Sequence, residues 1–350
     1  MFGIRLAVEM EWLNTMAYVG MVTKMPDFHL PTVSLLSGAK KVEAKCNHDV
    51  VALVTVLERF LKEAGYKDHK MVHFGLTSSD ICDTALSLAF KASFELLAER
   101  LSAITAYQFP SFLVHTRTHG VDTGMPVPLT TRFGRMQSEL SMEIRKLPRQ
   151  KYYGKMSGPV GLADGFKQHV ECELRTLQNL NLEAHPGATQ VVPRQVYAEY
   201  HMRMAVIGRI LARMASTIRL ALLAGDVTVA KTDGEVGSSS MPHKVNPWQL
   251  ERVAGMARLL DSHAMVALEN IDLWMERDIS HSCVERVNPE AGFNYLLKMV
   301  SDIVSFLPRV GPPAKVLRDT SFEASYHKLN RAILEGSSRE ECHRLLSGKY

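Results

Sequence analysis

The chain has 350 residues, 46% hydrophobic and 22% charged, with 41 Lys and Arg against 37 Asp and Glu and a formal net charge of +4. That composition supplies a sizeable core and excludes disorder, and without a long single-sign run it excludes a nucleic-acid stripe or a polybasic membrane patch. The five cysteines (Cys46, Cys82, Cys172, Cys283 and Cys342) are odd in number and lack CxxC pairing, so a disulfide framework and a zinc site are both unexpected. Scattered thiols of this kind suit a reducing, cytoplasmic compartment. No apolar run reaches the roughly 20 residues of a membrane helix. The opening MFGIRLAVEMEWL mixes charged with apolar residues and does not read as a signal peptide.

Taken along the chain, apolar residues recur at three-and-four spacing, the mark of helices rather than strands. Helices are predicted over 49–63, 86–104, 204–222, 247–270 and 284–306. In the second, Leu86, Phe90, Phe94, Leu97, Leu101 and Ile104 step along one face. In the third, Met204, Ile207, Leu211, Met214, Ile218 and Leu222 do the same, while Val206, Ile210, Leu220 and Leu223 make the remaining surface apolar too. A helix apolar on most sides belongs inside a bundle or an oligomer. Segments 75–80, 119–128, 157–165, 185–193 and 225–242 are rich in Gly, Pro, Ser, Thr and Asp and predict loops, and Gly311-Pro312-Pro313 predicts a break. With no set of alternating β-branched runs, the expected class is all-α, a bundle whose chemistry sits in its loops.

The loop that stands out is Gly237 to Pro247, GSSSMPHKVNP, with Gly234 upstream. Its glycines and serines permit movement, and Lys244 with the amides of the following helix N-terminus suits a carboxylate or a developing carbanion charge. This segment resembles the signature GSSxMPxKxNP of the fumarase, aspartase and argininosuccinate lyase superfamily, matched at every fixed position. Within that superfamily the pair His243-Lys244 resembles the adenylosuccinate lyase family. Other segments resemble the same family: Asn47-His48-Asp49 its nucleotide-contacting HDV stretch, His73 to Asp80 its H-x-G-x-T-S-x-D stretch, and Arg117-Thr118-His119-Gly120 its RTHG stretch. Gln190 in ATQ and RDISHSCVER, Arg277 to Arg286, match family positions that bind substrate. The resemblance spans roughly Arg5 to Leu307.

The resemblance implies an all-α, fumarase/aspartase-like fold with three domains. They are an N-terminal helical domain over 1–78, a central long-helix bundle over 79–308 carrying the loop 234–247, and a short helical domain over 309–350. It implies a lyase that releases fumarate by β-elimination from adenylosuccinate, giving AMP, and from succinylaminoimidazole carboxamide ribotide, in purine biosynthesis. Ser238 is the implied base and His119 the implied acid, whose near-neutral intrinsic pKa suits proton donation. Asn47, His48, Asp49, His73, Thr77, Ser78, Gln190, Ser239, Lys244, Asn246, Arg277, Ser282 and Arg286 are implied to bind substrate. No metal or organic cofactor is implied, and no nucleic-acid or membrane partner. The implied assembly is a homotetramer whose active sites each draw on three chains.

The chain departs from the family pattern in three places. No Arg-Tyr pair precedes Glu9-Met10-Glu11-Trp12, Arg252 follows Glu251 where some members carry asparagine, and the VDTGMPVPLTTRFG after RTHG is longer than usual. The other readings of the same loop are a different superfamily lyase, such as argininosuccinate lyase or fumarase, and a catalytically silent structural homologue.

Overall fold

The structure is a computed structural model that describes residues 1–26, 29–232, 234–235, 241, 244–313 and 325–347. Helices α1 (Phe2–Tyr18), α2 (Thr32–Cys46), α3 (Asp49–Glu63) and α4 (Ser78–Thr105) come first. A hairpin of β1 (Leu113–Thr118) and β2 (Val121–Pro128) leads into α5 (Leu129–Lys146). Next come β3 (Tyr153–Gly154), α6 (His169–Asn179), β4 (Glu183–Ala184), α7 (Gln195–Leu223), β5 (Thr228–Val229) and α8 (Trp248–Glu269). The order closes with α9 (Ser280–Glu285), α10 (Asn288–Phe306), β6 (Val310–Gly311), α11 (Ser325–Leu334) and α12 (Arg339–Ser347). The class is the helical one expected, and among the described residues the two-residue strands pair as β3 with β4 and β5 with β6. Among the described residues no helix is long and apolar enough to cross a membrane.

The predicted helix over 284–306 is two helices, α9 and α10, separated at Arg286 and Val287. Pro289 explains the break. It has no N–H to donate and its ring collides with the carbonyl four residues back, so it is accommodated only in a first turn. The hairpin was not predicted as strands. Its paired residues include the β-branched Val114, Thr118, Val121 and Val127, and Thr118 faces Val121 across the two-residue loop His119-Gly120. Both loop residues have positive φ, 51° and 78°, the geometry of a type I′ turn matched to strand twist.

The chain divides into two compact units. The first comprises 1–99, 145–206 and 259–295, the second 100–144, 207–258 and 296–350. In the first unit, α4 begins with a polar stripe at helical spacing. Asp80, Asp83, Thr84 and Ser87 are all buried, and each finds a partner across the core. Asp80 pairs with the ammonium of Lys155, both side chains being fully buried, and Asp83 pairs with Arg194 at 2.9 Å. Thr84 donates to the Lys155 carbonyl at 2.9 Å, and the Ser87 hydroxyl lies 3.3 Å from that of Tyr197. Further along, the same helix turns aromatic: Phe90 and Phe94 pack with Tyr200 of α7 and Phe293 of α10 at ring distances of 5.0–6.3 Å.

In the second unit, Phe109 stacks on Phe133 of α5 at 4.5 Å, and Gln137 donates to the carbonyls of Ile104 and Tyr107, closing the C-terminus of α4.

The Asp80–Lys155 pair generates a stability prediction. Removing one partner strands a charge in the core, so Asp80→Ala costs about 3–5 kcal/mol, while Asp80→Ala with Lys155→Met recovers part of that loss. Urea unfolding midpoints of the two variants against the parent check it.

Candidate active site

In the first unit, α3 opens on a charge cluster. The helix starts where Asn47, at φ 52°, closes α2, and the His48 imidazole caps α3 by accepting the Val51 N–H at 3.3 Å. Asp49 then receives Arg5 at 2.8 Å and Arg286 at 3.1 Å on one oxygen, and the Val50 N–H on the other. Partial burial would raise the Asp49 pKa, but the two guanidinium groups outweigh it and hold the carboxyl below its usual value. Asn47, His48, Asp49 and Arg286 therefore meet, and the exposed Arg286 guanidinium keeps donors turned to solvent.

The loop before α4 is held from two sides. Trp12 of α1 donates to the Phe74 carbonyl at 2.9 Å, and His73 Nδ1 lies 2.6 Å from Glu9 Oε1. Asp80 accepts the Thr77 N–H at 2.6 Å, which fixes Thr77 and places Ser78 at the first turn of α4. Glycine is required along this loop's wall. A Cβ on Gly158 would sit 3.0 Å from the Gly75 carbonyl, and one on Gly75 2.9 Å from the Phe166 ring.

A third group joins Gln190 to Arg277 at 3.2 Å. Beyond it the segment 280–285 becomes α9, with Ser282 accepting the Arg286 N–H at 3.3 Å. On α9, His281 is buried with no partner for Nδ1 among the described residues, and burial beside Arg194 lowers its pKa to about 4. Glu285 lies 3.1 Å from Arg194. Burial pushes the Glu285 carboxyl up to about 7 against the pull of that guanidinium, and nearby Asp83 adds to the rise.

In the second unit, His119 stands exposed at the tip of the hairpin. The hairpin is braced behind it, where Arg117 and Arg132 both pair with Asp226 and His115 pairs with Asp122. Lys244 is exposed and Asn246 half-buried, just ahead of α8. Ser238, Ser239 and His243 lie outside the described residues. Among the described residues no group of three or more His, Cys, Asp or Glu side chains is placed to hold a metal ion.

A family model described as lyase matches residues 35–259. Over 326 residues the chain is 35% identical to adenylosuccinate lyase of Synechocystis sp., covering 88% of this chain and 74% of that one. It is 38% identical over 264 residues to adenylosuccinate lyase of Thermotoga maritima, covering 72% and 60%.

The chain belongs to the adenylosuccinate lyase family.

It spans 60–74% of the length of those two relatives. The fold is shared more widely. A fumarate lyase from Mesorhizobium sp. BNC1 superposes with a TM-score of 0.79 over 98% of this chain and 81% of that one, at 17% identity. The 3-carboxy-cis,cis-muconate lactonizing enzyme from Pseudomonas putida gives 0.80 over 99% and 82%, at 18% identity.

Within this adenylosuccinate lyase family chain, several residues of the clusters escape a reading of motifs alone. Glu9 and Arg194 are buried and Glu285 is nearly so, and only the folded chain shows their partners. For Glu9 a signal existed, a carboxylate on the buried face that also carries Leu6, Leu13 and Met16. Arg252 has a structural use: it grips Asp302 with two hydrogen bonds of 2.7 and 2.6 Å and lies over the Trp248 ring.

Because the Asp49 pKa is depressed in the folded chain, its contribution to stability is full above the unfolded carboxylate value of about 3.9 and is lost as pH falls through the lower folded value. Thermal melts from pH 7 to 3 on the parent and on Asp49→Asn check this. The parent loses more stability below about pH 4 than the variant does.

Proposed function

We propose that the chain releases fumarate from adenylosuccinate, giving AMP, and from succinylaminoimidazole carboxamide ribotide, as a cytoplasmic enzyme of purine biosynthesis. The observation that carries the reading is 35% identity to an adenylosuccinate lyase over 88% of the chain. The signature Gly237 to Pro247 and the segments around His48, His73 and His119 lie within residues 35–259, which the lyase family model matches.

The chemistry needs one base and one acid. A proton is removed from the carbon beside a carboxylate, the C–N electron pair departs with nitrogen, and that nitrogen leaves well only when protonated. In this proposal Ser238, as an alkoxide, takes the carbon-bound proton to become a hydroxyl, and His119 gives a proton to the leaving nitrogen. Lys244, Asn246 and Ser239 stabilise the extra negative charge of the intermediate. A serine is a weak base, so the site must exclude water and supply several kcal/mol of electrostatic stabilisation. Asn47, His48 and Asp49 contact the nucleotide, while His73, Thr77 and Ser78 hold phosphate and succinyl oxygens. Gln190, Arg277, Ser282 and Arg286 bind the rest of the substrate, with guanidinium groups suited to paired oxygens.

The acting unit in this proposal is a homotetramer whose sites combine three chains, so a monomer is inactive. Supporting it, Val206, Leu220 and Leu223 of α7 are 45%, 63% and 84% exposed, and Met265 of α8 is 56% exposed. Apolar faces of this kind are what a partner covers. The exposure of His119 at a hairpin tip fits a residue that completes a neighbour's site.

Fumarate formation from adenylosuccinate, followed by ultraviolet absorbance, tests the reading, with argininosuccinate as the control substrate. Ser238→Ala abolishes the signal and His119→Gln lowers kcat by roughly 10²–10⁴-fold. Mixing the two inactive variants restores activity where sites are shared between chains. No fumarate from adenylosuccinate at high enzyme concentration refutes the proposal.

A further inference from the structure

Glu9 has no place in the chemistry described so far, yet it is a fully buried carboxylate on the apolar face of α1. One oxygen lies 2.6 Å from His73 Nδ1, and the other, Oε2, has no hydrogen-bond partner among the described residues. A cation beside a buried carboxylate offsets the cost of an oxygen left without a donor. His73 is itself held in a costly conformation, with φ of 65°, and the next residue is pinned by the Trp12–Phe74 hydrogen bond. Two residues of α1, Glu9 and Trp12, thus fix the ring and the backbone of one loop.

We propose that Glu9 is a positioning residue for His73. It holds Nδ1–H on its carboxylate and leaves Nε2–H of an imidazolium as a donor to an anionic oxygen of the substrate. The inference rests on the substrate-binding role proposed above for His73.

The surroundings agree on the charge. Burial lowers the pKa of His73, but Glu9 from α1 and Asp80 from α4 together raise it above the ordinary histidine value. The nearby His169 of α6 is engaged elsewhere: its Nδ1 accepts the Gly165 N–H at 3.1 Å, and its Nε2 faces the Met156 carbonyl at 2.7 Å. With Glu9 neutralised, its raising effect is lost and burial draws the His73 pKa down. A fixed imidazolium also donates at a set angle, which a solvated histidine does not.

The test uses the whole chain. In Glu9→Gln, KM for adenylosuccinate rises roughly tenfold at pH 7.5 while kcat changes less, and the loss shrinks as pH falls and His73 regains its proton. Inhibition by AMP and by fumarate separates the two oxygen sources. Weakened AMP inhibition assigns His73 to phosphate, and weakened fumarate inhibition assigns it to a succinyl carboxylate. In a His73→Gln background Glu9→Gln adds no further loss, whereas a merely structural role makes the two losses additive. Glu9→Asp, which keeps the charge, gives an intermediate KM and serves if Glu9→Gln does not fold. Hydrogen–deuterium exchange at the histidine C2 position, read by mass spectrometry, reports His73 protonation without any turnover. Its midpoint falls in Glu9→Gln relative to the parent. An unchanged midpoint, or full additivity with His73→Gln, overturns the proposal even where fumarate release succeeds. A lowered midpoint upholds the dyad even where fumarate release fails.

Discussion

The first unit is organised around a fully buried ion pair, Asp80 with Lys155, joining the start of α4 to the segment 155–158. In a medium of low polarity such a pair attracts strongly, but desolvation removes most of the gain, so its main product is geometry rather than stability. Here the geometry is specific. Asp80 also accepts the N–H of Thr77 and of Gly158, and Lys155 donates to the Gly158 carbonyl at 3.0 Å. The turn that carries His73, Thr77 and Ser78 is thereby fastened to a second loop, with glycines where the two backbones come too close for side chains.

The same helix extends the principle by one turn. Asp83 takes two hydrogen bonds from Arg194 and one from the Val192 N–H, and Arg194 passes the charge on to Glu285 of α9. A row of polar side chains on one face of α4 thus sets two groups of proposed binding residues, one on each connected loop. Buried polar groups of this kind are tolerated because each is partnered, and partnering restricts the loops to one arrangement. The apolar face of α4 further along does the opposite job, supplying cohesion through Phe90 and Phe94 without directing any loop.

The charges nearest the surface behave differently. Arg286 remains over half exposed while sharing Asp49 with Arg5, so an anion can displace part of that pairing without stranding a charge in the core. Deep pairs hold the frame, and shallow pairs are available for exchange. His119 follows neither pattern. A tight I′ turn alone presents it, and the Arg117–Asp226 pair anchors the strands behind it.

Much was legible in the sequence because the relevant signals are local. Helical spacing in α4 and α7 follows from which residues must leave water, and the residues 49–63 assigned by that spacing are those of α3. Family motifs such as HFGLTSSD and GSSSMPHKVNP are contiguous, so they show in one dimension. Even the missed hairpin was written locally, in β-branched residues flanking His119-Gly120, and the missed break was written in Pro289. Partnership at long range was not legible. Glu9 meets His73 across 64 residues and Arg286 meets Asp49 across 237, distances over which spacing carries no information. The sequence by itself determined the helical class, the family and the chemistry-bearing types. The tertiary structure alone decided which charges are paired, because pairing depends on where the folded core excludes water.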